Sequence, residues 1–192
     1  MQATRIASAL LGELLYEKGQ FIEAEELIAV GLGLEGGAVE FLAAGYGTGA
    51  RLAAVRGGLD AMNQRLDEGA KVAANLALPR LAARIVNERI RSGLPISEAD
   101  RRDLEQLEPY SVHADAPTAI IAELSLDSAI RLLLREEATA AAERACRQAQ
   151  RLVEVIATQN RPHVLLTAEL LYGCSWQPPT GRPRLRRSWS PC

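Results

Sequence analysis

The chain has 192 residues, of which 48% are apolar and only 4% aromatic, and its formal net charge is −2. All 24 acidic residues lie in residues 1–173, so this part is mildly acidic and offers no basic face for a phosphate backbone, which argues against direct DNA binding. The sequence contains no run of 18 apolar residues, so it indicates no membrane span. Ala and Leu supply most of the apolar share, which favours helices packed on helices over a sheet.

Three glycines interrupt the apolar helical stretches at a nearly constant interval. Gly19, Gly57 and Gly93 recur 38 and 36 residues apart, and each ends a stretch with helical periodicity. Self-similarity at this period indicates stacked helix pairs, since one pair cannot bury its apolar face alone. The helices predicted for the first three pairs span residues 5–18, 21–34, 38–56, 59–75 and 79–91.

The regular pattern lapses between residues 93 and 117. This segment carries several prolines around a short acidic helix, for which Ser97-x-x-Asp100 reads as the capping box. We interpret it as an irregular insertion or as an irregular second half of the third pair. Beyond it, the pattern predicts a fourth pair and then a fifth helix, at residues 118–136, 138–158 and 163–173.

The last residues differ in composition from the rest of the chain. Residues 174–192 contain four arginines, four prolines and no acidic residue, which predicts a disordered basic tail. A basic arm that touches nucleic acid or membrane is the alternative, but we favour replaced or truncated sequence, because a solenoid normally ends in a polar capping helix. The fifth helix is left apolar and unpaired, and we expect it to offer a surface for self-association.

No pattern of catalytic or metal-binding residues is evident. Gly45-Tyr46-Gly47-Thr48-Gly49-Ala50 resembles a phosphate loop only loosely, and we interpret its small residues as allowing close approach between helices. His113 and His163 lie 50 residues apart, and no Cys/His spacing fits zinc. The three cysteines are widely spaced, which is typical of a reduced cytoplasmic compartment. We therefore expect no enzyme activity, cofactor or metal.

The repeat geometry suggests one binding surface. In stacked helix pairs the first helices line the concave face, so that equivalent positions form a ladder across it. With Gly12, Ala50 and Val86 taken as equivalent, the next positions are Glu13, Arg51 and Asn87. Four residues further on are Glu17, Val55 and Arg91, and Tyr16 lies beside Glu17. Such a row suits a protein partner or a small polar ligand, although ordinary solvation of an exposed face also explains it.

The motif Leu11-Gly12 with Gly19-x-Phe21-x2-Ala24 resembles a tetratricopeptide repeat of longer period. Leu14-Leu15-Tyr16-Glu17-x-Gly19-x4-Ala24-Glu25-x-Leu27 is similar to the tetratricopeptide-like region of MalT-type regulators, the ATP-dependent LuxR-family activators of bacteria. The run at residues 86–95, VNERIRSGLP, resembles the corresponding region of actinobacterial PknK-type serine/threonine kinases. The resemblance covers about residues 5–173.

This resemblance implies an all-α, right-handed superhelix of four to five antiparallel helix pairs over residues 1–173. It also implies a non-catalytic sensor or protein-interaction role in transcriptional signalling. Because the chain has no Walker motif, helix-turn-helix or kinase signature, we expect a truncated form of such a regulator. The alternatives are a free-standing scaffold that binds peptides, or a remnant of the regulatory region of a PknK-type kinase.

Overall fold

A computed structural model describes residues 2–32, 39–107, 116–159 and 161–175, and every regular element within these ranges is helical. The chain divides into two compact units, Met1–Ser128 and Ala129–Cys192, and the division falls within the sixth helix. The helices are α1 Gln2–Glu17, α2 Phe21–Leu32, α3 Val39–Asn75, α4 Pro79–Ser92, α5 Glu98–Glu105, α6 Ala116–Leu133, α7 Thr139–Ala157 and α8 Pro162–Ser175. The prediction of an all-helical protein is confirmed for these residues.

Glycines in the left-handed backbone region end or kink the helices at or next to the predicted positions. Gly19 (φ 76°) follows α1, and Gly93 (φ 77°) caps α4, with the Leu94 amide donating to the Arg89 carbonyl oxygen. The break expected at Gly57 lies one residue further on: Gly58 (φ 74°, ψ −166°) has a non-helical backbone and divides α3 into two helices that meet at a kink. The two helices of the predicted second pair are therefore the two arms of α3, residues 39–57 and 59–75.

In the first unit, α1 packs on α2, both pack on α3, and α3 packs on α4. The main core cluster joins α1, both arms of α3 and α4 through Ala9, Phe41, Met62, Leu66 and Leu81, among others. Gly45 and Gly49 lie inside the first arm of α3, where an added Cβ would meet Leu32 at 2.7 Å and Ile28 at 3.3 Å. The glycines of this segment thus serve close helix packing, as interpreted from the sequence.

Local signals set the start of α4 and α5. Pro79 occupies the first turn of α4, where its missing N–H costs nothing, and the helix begins where predicted. Ser97 caps α5, with its Oγ accepting from the Asp100 backbone amide at 3.1 Å and donating to Asp100 Oδ2 at 2.6 Å. Within the predicted insertion at 93–117, residues 108–115 lie outside the described part of the chain.

In the second unit, α8 packs against α7. Helix 163–173 is predicted above to be unpaired, but its Ala168 and Leu171 are buried, while Leu166 and Leu170 are more than half exposed. Cys174 and Ser175 continue α8, and the remainder of the predicted tail, residues 176–192, lies outside the described residues. Among the described helices, none is both long and apolar enough to cross a membrane.

Candidate functional site

Glu88 on α4 is a buried carboxylate held by two arginines. Arg51, on the first arm of α3, donates from Nη2 to Glu88 Oε1 at 2.7 Å and from Nε to Oε2 at 3.1 Å. Arg84, one helical turn before Glu88, places its Nε 3.0 Å from the same Oε1. The side chain of Glu88 is only 2% exposed. The two-point contact of Arg51 with Glu88 is the geometry in which a guanidinium binds a carboxylate most strongly.

The same two arginines extend the ion pairs to α1. Arg84 Nη2 lies 3.3 Å from Glu13 Oε1, and Arg51 Nη1 lies 3.4 Å from Glu17 Oε1. We call these five residues the charged network: Glu13, Glu17, Arg51, Arg84 and Glu88. It joins α1, α3 and α4, which contain the first helices of the three predicted pairs, and it becomes more exposed towards α1, where Glu17 is 50% exposed.

An aromatic group flanks the network on α1. The Cζ atom of Arg51 lies 5.8 Å from the centroid of the Tyr16 ring, within the range of a cation–π contact. Tyr16 in turn packs on Phe21 of α2, with ring centroids 5.5 Å apart and tilted by 48°. Arg51 is therefore held by carboxylates at its polar edges and by an aromatic face, so its position is tightly specified.

The electrostatics keep Glu88 and Arg51 ionised. Burial alone would raise the pKa of Glu88, but the charges of Arg84 and Arg51 and the hydrogen bond from Arg51 outweigh it and hold that pKa below its usual value. Burial would lower the pKa of Arg51, but the nearby Glu88 raises it. A carboxylate with a lowered pKa between two guanidinium groups is a poor proton acceptor, so this arrangement suits positioning and recognition rather than acid–base chemistry.

The structure brings together three of the five residues predicted to form the binding surface. Glu13, Tyr16 and Arg51 belong to or flank the charged network. Asn87 instead faces α6 and is 1% exposed; its Nδ2 donates to Asp127 Oδ2 at 2.7 Å and Ser128 Oγ at 3.0 Å. Arg91 is exposed, and its charge helps to lower the pKa of Glu88. Whether these residues bind a ligand stays a prediction.

Two network residues, Arg84 and Glu88, were not singled out from the sequence. A signal for both is present, because Glu88 lies 37 residues after Arg51, which is the repeat length, and four residues after Arg84. The ladder predicted from the sequence placed Asn87 opposite Arg51, one residue away from the side chain that makes the contact. Within the described residues, no group of three His, Cys, Asp or Glu side chains is arranged to hold a metal ion.

The chain is similar in sequence to bacterial serine/threonine-protein kinases. No protein-family profile and no solved structure matches it. The serine/threonine-protein kinase PknK of Mycobacterium tuberculosis (strain H37Rv) is 43% identical over an alignment of 173 residues, which covers 88% of this chain and 15% of the kinase. PknK of Mycobacterium bovis gives the same figures. Over most of its own length, the chain is therefore similar to a segment of these kinases, and it spans about 15% of their length.

Proposed function

We propose that this chain is a non-catalytic sensor or protein-interaction segment of the regulatory region of a PknK-type serine/threonine kinase. The observation that carries the proposal is the 43% identity across 88% of the chain to a segment of PknK. The matching segment is small relative to that kinase, and neither the sequence nor the charged network offers a proton-transfer or phosphate-binding constellation. The proposed role is therefore recognition, with the kinase activity residing elsewhere in such a protein.

We further propose that the helices stack as a tetratricopeptide-like right-handed superhelix of four to five pairs, comparable to the sensor region of MalT-type LuxR-family regulators. The glycine interval and the contacts of the charged network across α1, α3 and α4 support stacked pairs. In this proposal the domain covers residues 1–173, works in the cytoplasm and does not contact DNA directly.

The proposed partner is a protein segment or a small polar ligand at the face formed by Glu13, Tyr16 and Arg51, with Arg91 nearby. Glu13 and Glu17 each contact one arginine through Oε1, which leaves Oε2 of both without a partner among the described residues. These oxygens lie one helical turn apart on α1 and suit a ligand that carries N–H donors. Because the arginines already hold the carboxylates in place, these side chains lose little conformational entropy when a ligand binds.

A segment exchange tests the proposal. The matching 173-residue segment of M. tuberculosis PknK is deleted or replaced by this chain, and phosphoryl transfer to a generic protein substrate is measured for the wild type and both variants. We expect deletion to change the rate several-fold and the exchange to restore it to within about twofold. A deletion that leaves both the rate and its response to activators unchanged would contradict a regulatory role, as would an exchanged kinase that behaves like the deletion.

The binding face is tested in the same exchanged kinase. The double substitution Glu13→Gln and Glu17→Gln removes the outward carboxylates, and Glu23→Gln with Glu25→Gln on α2 is the matched control. We expect only the first pair to reproduce the effect of deletion, with equal helicity in circular dichroism for both. Equal effects of the two pairs would show that this face is ordinary solvated surface.

A further inference from the structure

A second feature, separate from the charged network, is an open groove between the second arm of α3 and α4. Its volume is about 670 Å³, within the range of small-molecule sites. The α3 wall is formed by Ala70, Ala73 and Ala74, which lie within one helical turn, and the α4 wall includes Ala82 and Ile85. From Pro79 to Arg89, the groove follows α4 for about 15 Å at 1.5 Å per residue. It is therefore elongated, with almost entirely apolar walls.

The polar groups of the groove lie at one end. Arg89, Ser97 and Asp100 line it there, and Arg89 Nη1 donates to the Pro95 carbonyl oxygen at 3.3 Å, which ties the arginine to the segment before α5. At the other end the lining residues are Ala77, Leu78 and Pro79. A ligand with one polar end and an apolar body would match this distribution.

Arg89 retains unused hydrogen-bond donors. Its Nη1 donates to Asn63 Oδ1 at 2.8 Å and to Pro95, and its Nη2 donates to Asp67. A guanidinium has five N–H groups, so the Nε–H and the second Nη2–H have no partner among the described residues. Arg89 can therefore still donate to a ligand through these groups.

Asp100 supplies the complementary acceptor. Its Oδ2 accepts from the Ser97 hydroxyl, and no contact within the described residues engages Oδ1. The charge of Arg89 is already balanced by Asp67. A negatively charged ligand would be repelled by the carboxylates of Asp67 and Asp100, which only one guanidinium balances. A positively charged ligand would be repelled by Arg89. A neutral head group with both an acceptor and a donor fits this end better than either ion.

We propose that the groove binds a neutral aliphatic amide. The hydrocarbon body lies along the alanine wall of α3, the amide carbonyl accepts from the Nε–H of Arg89, and the amide N–H donates to Asp100. This site is distinct from the proposed partner face on α1 and does not depend on it.

Binding is measured by isothermal titration calorimetry with octanamide, octanoate and octylamine, each below its aggregation concentration. We expect octanamide to bind at least tenfold more tightly than either ion. Ala74→Leu narrows the groove at an exposed alanine and should weaken octanamide binding at least tenfold, whereas Ala29→Leu on the exposed face of α2 should leave it unchanged. Circular dichroism confirms that both variants are folded.

Three outcomes would overturn the proposal. Absence of heat with octanamide would show that the groove is not a site for this class. Tighter binding of octanoate would contradict the neutral head group. Equal affinity in the Ala74→Leu and Ala29→Leu variants would place any binding outside the groove.

Discussion

Gly47 lies directly beneath the guanidinium of Arg84: a Cβ added at Gly47 would stand 2.8 Å from Arg84 Nε. The absence of a side chain on α3 therefore allows Arg84 to cross from α4 and reach Glu13 on α1, 71 residues away in sequence. The glycine that gives the segment a passing likeness to a phosphate loop is thus one of the residues that shapes the charged network.

Gly47→Ala tests this relationship. Alanine raises helix propensity by up to about 1 kcal/mol, but here it displaces an arginine held by two carboxylates, so we expect a lower free energy of unfolding in urea. Gly173→Ala is the control, because nothing lies within 4 Å of its added Cβ and α8 should be unchanged or stabilised. A higher free energy of unfolding for Gly47→Ala would show that Arg84 can move aside without weakening its ion pairs.

Glu88→Gln removes the charge at the centre of the network. Losing one partner of a buried ion pair costs about 3–5 kcal/mol, because two arginines are left without their carboxylate. The exposed pair of Arg56 with Glu25 provides the comparison, and Glu25→Gln should cost less than about 1 kcal/mol. Urea unfolding of both variants checks the difference, and equal costs would show that Glu88 is not the centre of the network.

The lowered pKa of Glu88 also predicts a pH dependence. Because the pKa of the folded state lies below the unfolded value of about 4.5, the ionised form stabilises the fold fully above that value. The contribution falls as the pH drops through the lower, folded-state pKa. We expect the stability difference between wild type and Glu88→Gln to be constant at neutral pH and to shrink as the pH falls below about 4.5. A difference that grows on acidification would reverse the assigned direction of the shift.

Ala77→Gly should stabilise the turn between α3 and α4. Ala77 has φ 49°, a left-handed conformation that costs a residue with a side chain about 1–2 kcal/mol. Glycine adopts it freely but loses more entropy on folding, so a net gain of about 0.5–1 kcal/mol is expected, seen as a rise in Tm of a few degrees. Ala74→Gly, inside the helix, should lower Tm. A fall in both variants would contradict the strain at Ala77.

The helices and most of their limits follow from local features of the amino-acid sequence. The ends at Gly19 and Gly93, the start at Pro79 and the cap at Ser97 depend on φ preferences and on hydrogen bonds within a few residues, so they can be predicted locally. Repeat periodicity also predicts Glu13 and Arg51 on one face, and whether that face binds a partner stays a prediction. The break expected at Gly57 was displaced to Gly58, since either glycine can adopt the required backbone.

Which side chain of α4 meets Arg51 depends on how the helices pack. Asn87 and Glu88 are neighbours in sequence, but successive residues of a helix point about 100° apart, so one binds α6 while the other lies between Arg51 and Arg84. That choice is set by the rotation of α4 against α3, which the packing of Leu81 and Ile85 in the core determines. Pairings across 37 and 71 residues depend on such packing and have no local signature.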